Sequence, residues 1–322
     1  MEIISTFFEG FMDPRKRVCL LYLGSALAIG MLWLVICQRR SLRSAFGICF
    51  SREAWWSVSA RQDYALLFLN KVFFLLISQA WFSSTVATYA IFELLHEVVP
   101  VRPNLELSKA SVVILFTLSI FLLDDFTKYL VHWLLHNVRC LWVFHKVHHS
   151  ATSLTPFTIF RTHPIEMLLF SARSIFVRAF VIAVFVFFFG DGVDLYTVLG
   201  VNIGLFIFHI LGSNLRHSHI YIGYWDWLEK WLISPAQHQV HHSANPNHHG
   251  KNLGVVLAVW DRLAGTLMTA PKYRTFDFGF AVHEQNRLGT LKYVYLNSFV
   301  EGFRILCNPF LKRPIDDVKK TT

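Results

Sequence analysis

Eight histidines fall into three tight motifs. His132 and His136 stand four apart in HWLLH, His145, His148 and His149 form HKVHH, and His238, His241 and His242 form HQVHH. On a helix, residues at i, i+3 and i+4 share one face, so each motif can turn its imidazoles towards one centre. Neutral imidazole ligates zinc, iron, copper and nickel, so ligand type alone does not select a metal. Eight donors are too many for one tetrahedral ion and suggest two ions. With 16 histidines in 322 residues, H-x-x-H-H arises by chance roughly 0.04 times per chain, yet it occurs twice here. The bland alternative is a set of surface histidines close to lipid headgroups, and it requires that recurrence to be accidental.

The elements that must position these motifs are apolar. Hydrophobic residues make up 54% of the chain, charged residues 16%, and phenylalanine alone occurs 31 times. So few charges argue against a soluble domain of this length. About five apolar segments are long enough to cross or deeply enter a bilayer, near 18–37, 65–91, 110–134, 174–190 and 195–213. The second contains Lys71 and reads either as one tilted helix or as a helix with a re-entrant piece. The first has no small-residue cleavage site and reads as an anchor rather than a signal peptide. The expected fold is an all-α integral membrane protein with about four to five transmembrane helices and a helical cytoplasmic cap holding a two-metal histidine cage. Three regions follow: an N-terminal anchor with a basic loop over 1–64, a catalytic membrane domain over 65–270, and a cytoplasmic tail over 271–322.

Charge sets the expected orientation. The net charge of +9 is scattered near the ends of apolar runs, without the aromatic-interleaved basic groove of a nucleic-acid binder. Arg39, Arg40, Arg43, Arg52 and Arg61 follow the first segment, whereas the connection Gly190–Asp194 has no Lys or Arg. The positive-inside rule puts the arginines, and with them both H-x-x-H-H knots, on the cytoplasmic side. That side is the cytoplasmic face of a bacterial inner membrane or, in a eukaryote, of the endoplasmic reticulum. The five cysteines are odd in number and form no C-x-x-C, which argues against a disulfide framework or a thiolate metal site.

H-x-x-x-H, then H-x-x-H-H, then a membrane hairpin, then H-x-x-H-H resembles the fatty acid hydroxylase superfamily. DDFTKYLVHWLLH (Asp124–His136), FRTHPIE (Phe160–Glu166), NLRHSHI (Asn214–Ile220), SPAQHQVHHS and KNLGVVLAVWDRLAGTL (Lys251–Leu267) look like its bacterial, sterol-desaturase-like branch. The resemblance covers roughly residues 65–270. It implies an integral-membrane oxygenase with two iron ions in a histidine cage at the cytoplasmic face, with zinc able to substitute in isolated protein. It also implies a further ligand between the hairpin and the last motif, for which His217 is favoured and His219 is assigned a supporting place. His248 and Asn252 stand where relatives often read H-x-D-K-N, but Gly250 replaces the acid.

Other residues carry plainer readings. His163 is expected to hydrogen-bond the turn before Pro164, and His209 to be a buried, hydrogen-bonded ring. Asp124 and Lys128 stand at i, i+4 and can pair. Asp125, seven residues before His132, could orient that imidazole or form only a helix-end ion pair. WDRLAGT (Trp260–Thr266) is expected to close the cap by packing.

Such a site suits attack on an unactivated C–H bond, for which a redox metal pair is needed to reduce dioxygen. The outcome is an alcohol, or a double bond if a second hydrogen is taken. The substrate is a fatty acyl or sterol-like lipid reaching the site from the membrane. Without a dinucleotide or haem motif in the sequence, electrons are expected from a separate ferredoxin, cytochrome or reduced pterin. A different class, a non-enzymatic membrane metal protein, would place polar ligands at mid-membrane, and these motifs lie at or beyond segment ends.

Overall fold

In a computed structural model, residues 8–81, 83–99, 101, 105–190, 193–195, 197–198 and 201–308 are described. They are mostly helical. The first span comprises α1 (Leu20–Leu32) and a π-helical turn (Trp33–Cys37), followed by α2 (Leu42–Cys49). Next come α3 (Val58–Trp81) and α4 (Ser84–Val98). The longest helix, α5 (Lys109–Asn137), is followed after one extended residue, Val138, by α6 (Arg139–His149). Helix α7 (Pro164–Phe189) runs back along α5. A two-residue antiparallel pair, β1 (Thr197–Val198) and β2 (Val201–Asn202), leads into α8 (Ile203–Ile210). Short helices α9 (Pro235–His241), α10 (Val259–Ala264) and α11 (Val282–Leu288), then α12 (Ser298–Cys307), complete the cap.

Local sequence explains the boundaries that matter. Ser108 opens α5 by accepting from Ser111 N. Pro164 starts α7, where its missing N–H costs nothing, and the His163 ring caps it by accepting from Ile165 N at 3.0 Å. Ser234 and Gln237 form a reciprocal capping box at the start of α9.

Three helices among the described residues are long and apolar enough to cross a bilayer: Leu20–Cys37, Lys109–Asn137 and Pro164–Phe189. Two of the expected apolar segments lie outside these three for identifiable reasons. The segment expected over 65–91 is two helices, and the first of them, α3, carries Arg61, Asp63 and Lys71. The segment expected over 195–213 is interrupted by the β pair, and α8, eight residues long, rises only about 12 Å. The connection Gly190–Asp194 lies partly outside the described residues, as do 309–322 of the tail.

The outer regions pack on the histidine-bearing core. Ala26 of α1, Leu34 of the π-helical turn, and Ala45 and Cys49 of α2 share a cluster with Leu215, Ile220 and Ile222. Lys146 of α6 bonds Glu284 and Glu301 at 3.1 Å, fastening the C-terminal helices to the back of the HKVHH motif.

Candidate metal centre

The three motifs and His217 come together at one end of the α5–α7 hairpin. His132 and His136 project from the last turns of α5, His145, His148 and His149 from α6, and His238 and His241 from α9, with His242 at its C-cap. His217 follows a single 3₁₀ turn, Ser213–Arg216, which begins after Gly212 in a left-handed conformation. The imidazoles separate into two donor groups. His132, His136, His145, His149 and His241 form one, and His148, His217, His238 and His242 the other; one nitrogen from each member lies within 4.8 Å of all others in its group. The nine residues are the nine expected as ligands.

Hydrogen bonds at the far ring atoms fix the tautomers. Nδ1 of His132 donates to the Leu253 carbonyl (2.7 Å), that of His241 to Lys251 O (2.9 Å), and that of His148 to Arg161 O (3.3 Å). His145 Nδ1 donates to Glu166 Oε1 at 3.0 Å. With Nδ1 protonated, Nε2 presents a lone pair inward. In the four-histidine group Nε2 of His217 lies 3.0 Å from that of His238 and 3.1 Å from that of His242; in the five-histidine group, Nε2 of His132 and of His145, both in the tautomer just fixed, nonetheless lie 3.1 Å apart. Facing lone pairs at this range repel unless a cation lies between them. Two nitrogens each about 2.1 Å from one ion, at a right angle, stand about 3.0 Å apart. The buried Nε2 atoms of His136 and His241 have no hydrogen-bond partner among the described residues. The donor set therefore fits divalent metal ions.

Electrostatics keep the rings neutral, the form that ligates. Burial, with the surrounding imidazoles, pushes His145, His149, His217, His238, His241 and His242 well below the usual histidine range, and burial takes His148 to about 3. The groups differ in their surroundings. The five-histidine group touches the Glu166 carboxylate, whereas the four-histidine group has Arg17 Nη2 3.4 Å from His217 Nδ1.

Glu166 was not singled out from the sequence. Its signal was available: it stands in the first turn of α7, in the quoted FRTHPIE stretch, but 21 residues from the ring it meets. The four supporting residues that were singled out lie elsewhere. Asp125, offered as an orienting partner for His132, instead accepts from Val256 N, Leu257 N and Trp260 Nε1. Its effect on His132 runs through the loop it pins, whose Leu253 carbonyl holds the ring. His219 donates Nε2 to Ile48 O, turned towards α2. His248 stands edge-on to Phe276. Asn252, at φ +55°, bridges Gln237 O and Met268 N and ties the loop to α9. None of these four belongs to either donor group. His163 and His209 are hydrogen-bonded rings, His209 to Ser213 Oγ at 3.0 Å. Asp124 pairs with Lys128 (2.6 Å) and Arg173 (2.9 Å).

Residues 117–266 match the family model "Fatty acid hydroxylase". Alkylglycerol monooxygenase of Xenopus tropicalis is 30% identical over 150 residues, 46% of this chain and 29% of that protein. The Homo sapiens protein of the same name is 30% identical over 152 residues, with the same coverage of each chain. That of Danio rerio is 29% identical over 150 residues, 45% of this chain and 29% of its own length. The matched segment thus spans less than a third of these curated relatives. No solved structure matches the chain significantly.

Proposed function

We propose that this chain, whose residues 117–266 match the fatty acid hydroxylase model, is a membrane-bound di-iron oxygenase of that superfamily that hydroxylates an unactivated C–H bond of a lipid. One oxygen atom of O₂ enters the C–H bond; the other leaves as water with two electrons and two protons from a separate donor. A ferredoxin, a cytochrome or a reduced pterin has the required chemistry. The observation that carries this reading is the convergence of nine neutral imidazoles into a five-donor and a four-donor group at the end of membrane-spanning helices.

Bound iron would supply the reduction of dioxygen. The chain's own residues do the rest. The carbonyls of Leu253, Lys251 and Arg161 hold three rings in the ligating tautomer. Glu166 does the same for His145. Burial of the rings themselves, with His132, His145, His148, His149, His217, His238, His241 and His242 all at 7% exposure or less, keeps bulk water from them.

Geometry bears on the substrate. Asp124, Lys128 and Arg173 form a charged cluster where the apolar run of α5 ends. His132 lies eight residues further along the same helix, roughly 12 Å beyond that cluster. A lipid whose tail stays in the bilayer brings a carbon near its polar head to this depth more readily than its methyl end. An ether or acyl lipid oxidised close to the head satisfies this, in keeping with the name alkylglycerol monooxygenase carried by the matched relatives. The histidine site then faces the cytoplasm.

The test is metal content and O₂-dependent turnover of the purified chain, before and after His148→Ala and His241→Ala. About two irons per chain, reduced by either substitution together with an alcohol product seen by mass spectrometry, is the expected result. An alkene product would make it a desaturase. Tightly held zinc, with no turnover after iron reconstitution, would make it a non-enzymatic metal protein.

A further inference from the structure

YWDWLEKW (Tyr224–Trp231) belongs to neither donor group and has no part in the chemistry above. It is a polar-looking turn that turns its largest apolar residues outward. Trp225 is 72% exposed, Trp227 62% and Trp231 53%; the neighbouring α10 adds Leu263 at 77%. A rigid protein surface rarely leaves three indoles in contact with water, and such patches mark binding surfaces.

The turn is held in this shape. Glu229, in its middle, points inward and is fully buried. Its carboxylate accepts from Tyr224 N (3.1 Å), Ser234 Oγ (2.6 Å) and Ala270 N (2.8 Å). Its backbone carbonyl accepts from Gln237 Nε2 at 3.1 Å. Trp225 and Trp227 lie nearly parallel, 11° apart, with centroids at 6.4 Å. The indoles are thus presented from a fixed platform, and that platform is bonded to the cap of the helix that carries His238 and His241.

The depth of the platform can be read from its neighbours. Ala258 N donates to Trp231 O at 2.8 Å, and Leu257 N donates to Asp125 of α5. Trp260 packs on Phe126 of α5, with centroids at 5.0 Å. The turn therefore lies level with Asp124–Phe126, where the apolar run of α5 gives way to charge. Arg262 lies over the Trp231 ring at 5.2 Å, and Lys230 is exposed beside it. Indoles mixed with cations at the end of a membrane span are the composition that settles at the headgroup–acyl boundary.

We propose that Trp225, Trp227, Trp231 and Leu263 form an interfacial anchor that inserts into the headgroup boundary of the same bilayer the helices cross. This rests on the membrane-spanning reading of the helices and not on the chemistry of the metal centre. The anchor fixes the height of the metal-bearing cap above the lipid surface.

The experiment uses the full chain in phosphatidylcholine proteoliposomes, wild type and Trp225→Phe/Trp227→Phe. The difference between their emission spectra isolates these two of the ten tryptophans. The expected result is a blue-shifted difference emission, most of it lost when the lipid carries bromine near the top of the acyl chain and little lost to aqueous iodide. Loss to iodide but not to brominated lipid would overturn the proposal, because the patch would face water. Resistance to both would also overturn it and would assign the patch to a protein contact. Metal content, measured on the same samples, reports the centre separately.

Discussion

Replacing Glu166 is the sharpest test of how the five-histidine group is held. Its Oε1 lies 3.0 Å from His145 Nδ1, and the two side chains are 4% and 3% exposed. No water competes for that N–H. Glu166→Leu leaves a buried donor unpaired, a cost of about 1–3 kcal/mol. It also frees the ring to rotate or change tautomer, and losing such a partner typically weakens metal binding about 10–100-fold. Glu166→Gln keeps an acceptor for that N–H, so its loss should be the smaller of the two. The assay is iron retained per chain against a graded chelator, with circular dichroism to establish that each variant is folded. Iron should fall from about two towards one in Glu166→Leu, because the four-histidine group has no contact with this carboxylate. Folded variants that both hold iron and turn over like the wild type would refute the argument that Glu166 positions His145.

Two further outcomes follow from buried charge. Arg161 is 1% exposed and its Nε bonds Asp63 at 2.6 Å, so Asp63→Ala strands a guanidinium and should cost about 3–5 kcal/mol, read as a lowered unfolding midpoint. Since the Arg161 carbonyl also holds His148, iron in the four-histidine group should fall in parallel. The second outcome concerns pH. His148 is held at about 3 when folded, below the ordinary value of about 6.5, so the unfolded chain takes up its proton first as pH falls between the two. Stability is fully present above about 6.5 and declines through that window by about 1.4 kcal/mol per pH unit for each such ring. Protons and metal compete for the same nitrogens, so denaturation midpoint and iron content should drop together below about pH 6.5; a flat profile to about pH 5 would contradict burial of the neutral rings.

The eight histidines of the three motifs, which the structure brings together with His217, were legible because their information is local. Imidazole is a distinctive side chain, and spacings of three and four survive into the helices α5, α6 and α9 that display them. The groups that orient the rings were not legible. Leu253, Lys251 and Arg161 act through backbone carbonyls, which every residue possesses, so their identities carry no signal. Asp125 shows the opposite error. Its position seven residues from His132 puts both on one face of α5, but two turns separate them by roughly 10 Å, and the carboxylate is engaged by Val256 N and Trp260 Nε1. Sharing a helix face was not enough to bring the carboxylate and the ring into contact.

The return of the chain from the far end of α7 to the centre shows what hydropathy alone misses. Residues 195–213 are apolar enough to suggest a span, yet their described residues form an antiparallel strand pair, one short helix and a 3₁₀ turn rather than a continuous helix. Such backbone has polar groups to satisfy, and inside a bilayer they can be met only by protein. Asn202 answers part of that need: its amide donates to Thr117 O of α5 while its Oδ1 caps Gly204 N at the start of α8. Gly204 lets the segment approach Phe121 of α5, where a Cβ would stand 2.8 Å from the ring. The segment is therefore sheltered by α5, and its apolar composition reflects packing against protein as well as lipid. The same route explains why His217 was the one donor assigned only through the family resemblance. It arrives at the end of an irregular stretch, where no helical spacing announces it.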